Sequence, residues 1–515
     1  MLVLRPMQEC GRDNDSNSAS KFSDSSARQI ILLLCFLAAI HVFIFSAAFP
    51  FFNSVDEPMH FDLVLKYSHG HIPRKIEKLS PDSAAYLALF SSCAYFGTPE
   101  KFGGQMPPPP WTEPKDKMQR DFLANSAAWQ AQVNYEVSQT PLYYTLAAFW
   151  WHLGKWVGFH DGGLLYWLRF LNVALAVALV LLGYVAARLF FPENLFMQIS
   201  VPALVAFMPQ TAFYSIGNDV LPALCFGVAF ICLIRWLSSE TPSPLLGAAT
   251  GLAFAATYLS KMTNLPLLAV SALALLLKTG QSFRSGKLKM SLPAIAAFLG
   301  FSVPPILGWV IWCKSNFGDL TGSKLKMEYL TWTVKPFSEW WHHPLFTLAG
   351  FWMFLSGNLN TFWQGEFVWH NQPLFLPGTS LVYTILTLVL LAFVIYSLLA
   401  QFSKASLQQR RVLQLGLACF ITALGFFALM SIIYDFHDCP YPSREHPYFT
   451  SGRLLLGALV PFFLLIVYGL DRVLDRFGKM AKFVTLAAMI SAMVAAEITT
   501  DWQVFSNPYN WFHLP

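Results

Sequence analysis

The chain has 515 residues, is 55% hydrophobic and only 12% charged, and has a mean hydropathy of +0.47. So little charge cannot cover the surface of a soluble protein of this length. The net charge of +5 sits in short basic clusters between apolar runs, which is a topology signal and not a nucleic-acid-binding surface. Eight cysteines with no Cys-x-x-Cys pair exclude a zinc ribbon and a dithiol redox motif.

Residues 1–27 are rich in Ser, Asp and Asn and predict a disordered cytoplasmic tail. Residues 28–515 predict one polytopic transmembrane domain. The first apolar run, Ile30–Phe52, is too long for a signal-peptide core and no small-residue cleavage site follows it, so it reads as a retained signal-anchor. Runs near the length set by the roughly 30 Å hydrocarbon core recur at Leu164–Phe190, Leu195–Ser215, Val220–Trp236, Pro244–Leu259, Asn264–Leu277, Leu292–Trp312, Ser380–Leu399, Val412–Tyr434, Leu454–Leu470 and Phe483–Thr499. The expectation is an all-α integral membrane protein with about eleven spans.

Pro141–Phe159 is apolar but rich in Tyr and Trp, and it contains Lys155. If it lies in the interface, the basic residues at 28, 188, 235, 278–289, 404–411 and 472–482 all share one side. If it crosses, the positive-inside rule fails at every later loop. It is therefore expected as an amphipathic interfacial helix. The N-terminus is then cytoplasmic, the C-terminus extracytoplasmic, and large outer loops span 53–163 and 313–378, with a shorter one at Asp435–Arg453. Loops of that length point to a site built on the outer face. Cys93 and Cys439 fall in these loops, where an oxidising compartment permits a bridge and two free thiols are equally compatible with the sequence.

Charges at a membrane edge are expensive and are functional candidates by default. Asp56, Glu57 and His60 follow the first span; Asn218 and Asp219 lie between the third and fourth; Lys261 lies between two short spans; Arg453 opens the tenth. All sit at the outer ends of spans. Asp56 with Glu57, or Asp219, could instead cap helices. Lys261 and Arg453 could be snorkelling anchors. His60, one helical turn from Asp56, could be a structural hydrogen-bond partner.

Asp56-Glu57-Pro58-x-His60 directly after a first span resembles the start of polytopic membrane glycosyltransferases of the GT-C superfamily, and is similar to a bacterial predicted-membrane-protein subfamily with a DEPxH signature. Thr140-Pro141-Leu142-Tyr143-Tyr144, Arg169-Phe170-Leu171-Asn172, Gly217-Asn218-Asp219, Lys261-Met262-Thr263-Asn264-Leu265-Pro266, Phe362–Trp369 and Ser451-Gly452-Arg453-Leu454-Leu455 resemble further stretches of that subfamily in the same order. Leu454 stands where its pattern has Tyr. The resemblance implies hexosyl or pentosyl transfer in the cell inner membrane, from a polyprenyl-phosphate-linked sugar to an extracytoplasmic acceptor, in contact with membrane lipids and without nucleic acid. Asp56, with Glu57 second, would take the acceptor proton, and Lys261 and Arg453 would hold the donor phosphate. Some GT-C enzymes use a divalent metal such as magnesium or manganese, for which Asp56, Glu57 and Asp219 offer oxygen ligands; others need none. A lipid or sugar transporter, and a glycan polymerase or ligase using a diphosphate-linked donor, are the alternatives. The charges gather at one face and not at the midplane, and no internal repeat is present, which disfavours the transporter.

Overall fold

The computed structural model describes residues 14–400, 405–439 and 441–515, with side chains from residue 27 onward. Among the described residues, nine helices are long and apolar enough to cross a membrane: Ala27–Ala48, Asp161–Phe190, Val220–Ser238, Met262–Arg284, Leu288–Phe317, Pro377–Leu399, Leu407–Ile433, Gly452–Val473 and Asp475–Phe505. Two shorter apolar helices, Leu195–Ala206 and Pro244–Ser260, complete the set. Each matches one expected span, and the protein is an all-α integral membrane protein. The first helix begins at Asn14, so part of the segment read as a tail is helical. Residues 1–13 of that segment lie outside the described residues.

Gly452–Val473 is the centre of the bundle. In its most apolar stretch 94% of residues are buried in protein, against 17% in Leu288–Phe317 and in Asp475–Phe505, which face outward. A helix apolar all round belongs in such a core. The peripheral Leu288–Phe317 packs on Pro244–Ser260 through Gly247 and Gly251, four residues apart on one face. A Cβ on either glycine would run into the backbone of Ala294 or Phe298. This is the small-residue seam that lets two helices approach where lipid offers no hydrophobic drive.

The connections at one end of the bundle are short. There Lys482 donates to Asp471 at 2.6 Å, Asn194 donates to Asp471 at 2.9 Å, and Arg411 donates to the Leu237 carbonyl at 2.8 Å. The other end carries the long loops, and these are ordered. The first holds helices Glu57–Ser68, Pro81–Phe90, Lys115–Ala131 and Pro141–Val157, and an antiparallel pairing of Glu77–Lys78 with Val133–Asn134. Pro141–Val157 buries Tyr143, Tyr144, Ala147, Ala148, Trp151 and Gly154 along one face while Phe149 and Trp156 stay exposed. It is therefore amphipathic, and it is not among the helices long and apolar enough to cross.

The second long loop departs from the sequence expectation, which placed no helix in it. Leu348–Gln364 is a 17-residue helix whose buried side packs on the start of Gly452–Val473. Glycine makes that approach possible, because a Cβ at Gly452 would strike the Asn358 carbonyl. An antiparallel pairing of Thr333–Val334 with Tyr434–Asp435 ties this loop to the shorter one.

Candidate functional site

The site is built where the first loop leaves the first span. Asp56 has φ 65°, the left-handed region that Asp tolerates better than most residues, and it precedes helix Glu57–Ser68 with Pro58 in its first turn. Its backbone carbonyl accepts from the Met59 and His60 amides, but its side chain makes no capping bond. Asp219 likewise makes no capping bond to Val220–Ser238. The helix-cap reading therefore fails for both acids.

Their carboxylates converge on Arg453. Its Nη2 donates to Asp56 Oδ2 at 2.8 Å, its Nη1 to Asp219 Oδ2 at 2.8 Å, and its Nε to Glu366 Oε2 at 2.5 Å. Tyr135 donates its hydroxyl to Asp56 Oδ1 at 2.8 Å. Lys261, at an extended break between Pro244–Ser260 and the following helix, donates to Asp219 Oδ1 and, at 2.9 Å, to Asn218 Oδ1. The network runs on through Asn218 to Gln139 at 3.0 Å, Gln139 to Glu136 at 2.5 Å, and Lys326 to Glu136. Arg453 is 6% exposed and Lys261 5% exposed, so neither snorkels; both are enclosed with their carboxylate partners.

Glu366 enters through the backbone. The Val368 amide donates to the Asn53 carbonyl at 2.8 Å, and the Val55 amide to the Glu366 carbonyl at 3.3 Å, in a short antiparallel bridge of Ser54 with Phe367. The stretch after the first span and the stretch after Leu348–Gln364 are thus zipped together, which brings Glu366 and Asp56 to the same guanidinium. Sequence reasoning passed over Glu366, although an acid inside the aromatic stretch Phe362–Trp369 was the available signal. For Tyr135, Glu136 and Lys326 no signal existed in the sequence.

Burial opposes ionisation of Asp56, yet Arg453 and then Lys326 hold its carboxyl well below the usual carboxylate range. Asp219, equally buried, is brought down to about 2 by Lys261 and Arg453. Glu366 goes the other way, because burial raises its carboxyl more than Arg453 lowers it. Burial pushes His60 down to about 4, so its ring is neutral, with Nδ1 2.7 Å from the Tyr144 hydroxyl. Four acids, Asp56, Glu136, Asp219 and Glu366, face three bases, Lys261, Lys326 and Arg453. The cluster is neutral when Glu366 carries a proton.

Glu57 is not in this cluster. Adjacent to Asp56 but pointing away, it is 1% exposed and accepts from Arg169 Nε at 3.0 Å and Nη2 at 2.8 Å, from the Phe52 amide at 2.8 Å and from the Ile216 amide at 2.9 Å. Arg169 also donates to the Phe49 and Pro50 carbonyls at 2.6 and 2.9 Å. Glu57 therefore clamps the end of the first span, the second span and the loop before Asp219, and the catalytic and metal-ligand roles expected of it are corrected. Asp56, Glu57 and Asp219 do not form a ligand set: Glu57 is saturated by N–H donors, and Arg453 occupies the place between the other two. Among the described residues no three His, Cys, Asp or Glu side chains are grouped to hold a metal. Cys93 and Cys439 are both free thiols.

A profile of the predicted membrane protein family DUF2142 matches residues 36–435. The chain belongs to that family. The DUF2142 match takes in Asp56, Asp219, Lys261 and Glu366 and ends before Arg453, which completes the cluster from outside it. No curated protein matches this DUF2142 chain.

Proposed function

We propose that this protein is a GT-C-type membrane glycosyltransferase, which moves a sugar from a polyprenyl-phosphate-linked donor to an extracytoplasmic acceptor. The observation that supports this most is Asp56. It is a carboxylate in a left-handed turn that caps no helix and is kept ionised by Arg453 at the loop-bearing end of the bundle. A donor with its tail in the bilayer carries its phosphate at this level. Basic residues at the opposite end favour placing the loop-bearing end outside.

In this reading the acceptor hydroxyl oxygen attacks the anomeric carbon and the bond from that carbon to the phosphate oxygen breaks. The hydroxyl proton passes to Asp56, and the charge on the departing phosphate meets Lys261 and Arg453. Arg453 uses three N–H groups on carboxylates and has two to offer. As the phosphate draws the guanidinium toward itself, Asp56 loses its nearest cation and its proton affinity rises toward the ordinary carboxylate range. The acid thus becomes a competent base only with donor in place. Asp219 and Glu366 keep Arg453 aligned.

The test is incubation of membranes with radiolabelled polyprenyl-phosphate sugars, followed by analysis of labelled glycan, wild type against Asp56→Asn. Asn keeps the size and the hydrogen bonding but removes the basicity, so transfer should fall by about 10²–10⁴-fold while the protein stays folded. Full transfer by Asp56→Asn, or none by wild type with any donor, refutes the reading and returns a transporter to the front.

A further inference from the structure

A second polar cluster lies inside the membrane-spanning layer, away from Arg453. Glu497 lies on the last span, Asp475–Phe505, eight residues before its end, and His41 seven residues before the end of the first. At 1.5 Å per residue both are roughly 10–12 Å below the loop-bearing end. His41 Nε2 is 2.9 Å from Glu497 Oε2, its Nδ1 is 3.0 Å from the Ala206 carbonyl, and Tyr214 donates its hydroxyl to Glu497 Oε1 at 2.5 Å. A carbonyl only accepts, so Nδ1 carries a hydrogen. The Tyr214 hydroxyl is also 3.1 Å from Nε2; with one further proton shared between Nε2 and Glu497, the His41–Glu497 unit is neutral wherever that proton sits.

Beside this unit is a small crevice lined by Thr211, Gln364, Tyr383, Glu497, Thr500 and Asp501, with space for one water-sized group. Asp501, one helical turn beyond Glu497, is 4% exposed and has no hydrogen-bond or ion-pair partner among the described residues. The Thr211 and Tyr383 hydroxyls are also buried and without partners. Buried polar groups in native proteins are paired almost without exception, and the requirement is stricter inside a membrane. Three orphaned oxygen-bearing groups around one void call for an occupant. No Lys, Arg or His lines the crevice. With His41–Glu497 neutral, Asp501 gives it a single negative charge once a bound cation has displaced the carboxyl proton. Oxygen donors, one net charge and room for one small group select a hard monovalent cation. A divalent ion takes more carboxylates or keeps its waters.

We propose that this crevice is a sodium-sized cation site, in which Asp501 supplies the charge and the Thr211 and Tyr383 hydroxyls supply neutral ligands. Arg453 does not line the crevice, and the proposal does not depend on the transferase reading. It is tested on the full-length protein in detergent by thermal unfolding, with sodium chloride titrated against choline chloride at constant ionic strength and potassium chloride as a size control. Equilibrium binding of radioactive sodium is measured in parallel. Wild type should show a saturable rise in Tm with sodium and about one bound ion per chain. Asp501→Asn, which preserves shape, should fold and lose both. Thr211→Val and Tyr383→Phe should each raise the half-saturating sodium concentration by about tenfold, the effect of one lost polar contact. Identical Tm in sodium and choline, stabilisation by acid alone, or an unchanged sodium response in Asp501→Asn overturns the proposal.

Discussion

Glu57→Gln separates the two acids that sequence reasoning paired. In wild type the Glu57 carboxylate is buried and accepts from two Arg169 nitrogens and two backbone amides. Gln retains one acceptor oxygen and turns an NH2 toward groups that are themselves donors. It also leaves the Arg169 guanidinium, 1% exposed, without an anionic partner, with one neutral amide oxygen and the Phe49 and Pro50 carbonyls as acceptors. Breaking a buried ion pair from one side costs about 3–5 kcal/mol. The expected outcome is a Tm lower by several degrees in detergent, followed by fluorescence-detected size exclusion, with transfer per folded molecule reduced by less than tenfold. A double variant, Glu57→Leu with Arg169→Met, should recover part of the loss because no unpaired charge stays buried. Recovery stops short of wild type because the Phe52 and Ile216 amides then lack their acceptor. Wild-type stability in Glu57→Gln together with a hundredfold or greater loss of transfer would refute the clamp and restore Glu57 to the chemistry.

Arg453→Lys replaces a fork that reaches three carboxylates with a point charge, so transfer should stay at least tenfold below wild type; near-normal donor turnover in membrane assays would demote Arg453 to a structural anchor. His60 is held at about 4 against 6.5 for the free side chain. Between those values the unfolded chain binds a proton that the folded chain refuses, so stability falls as pH drops from 6.5 toward 4. Tm followed from pH 7.5 to 5 should therefore fall more steeply in wild type than in His60→Gln, and parallel curves would contradict the assignment. Cysteines placed at the exposed positions Ser285 and Ser338 should react with a membrane-impermeant maleimide from opposite sides, Ser338 from outside; labelling with the two sides exchanged would reopen Pro141–Val157 as a crossing helix, and labelling of both from one side would refute Leu288–Phe317 as a span.

By itself, the sequence determined the membrane architecture. Span length follows from bilayer thickness and apolar composition, both local properties, so all eleven apolar segments were legible; nine are helices long enough to cross, and Leu195–Ala206 and Pro244–Ser260 are shorter apolar helices. It also singled out Asp56, Asp219, Lys261 and Arg453, because a charge beside an apolar run is conspicuous wherever the chain goes. The tertiary structure alone decided what those charges do. Asp56 and Glu57 are neighbours in sequence, yet the left-handed turn at Asp56 sends one to Arg453 and the other to Arg169. Glu366 reaches Asp56 only through the bridge between Ser54 and Phe367, across more than three hundred residues. The bases expected to wait for a phosphate are already engaged by carboxylates, since a buried cation must be compensated where it folds. The crevice below Glu497 has no sequence signature, because His41, Tyr214, Tyr383 and Asp501 come from four segments and each alone reads as an ordinary residue of an apolar stretch. Periodicity and composition report what a segment prefers, whereas the pairing of distant charges depends on which ends of which helices pack side by side.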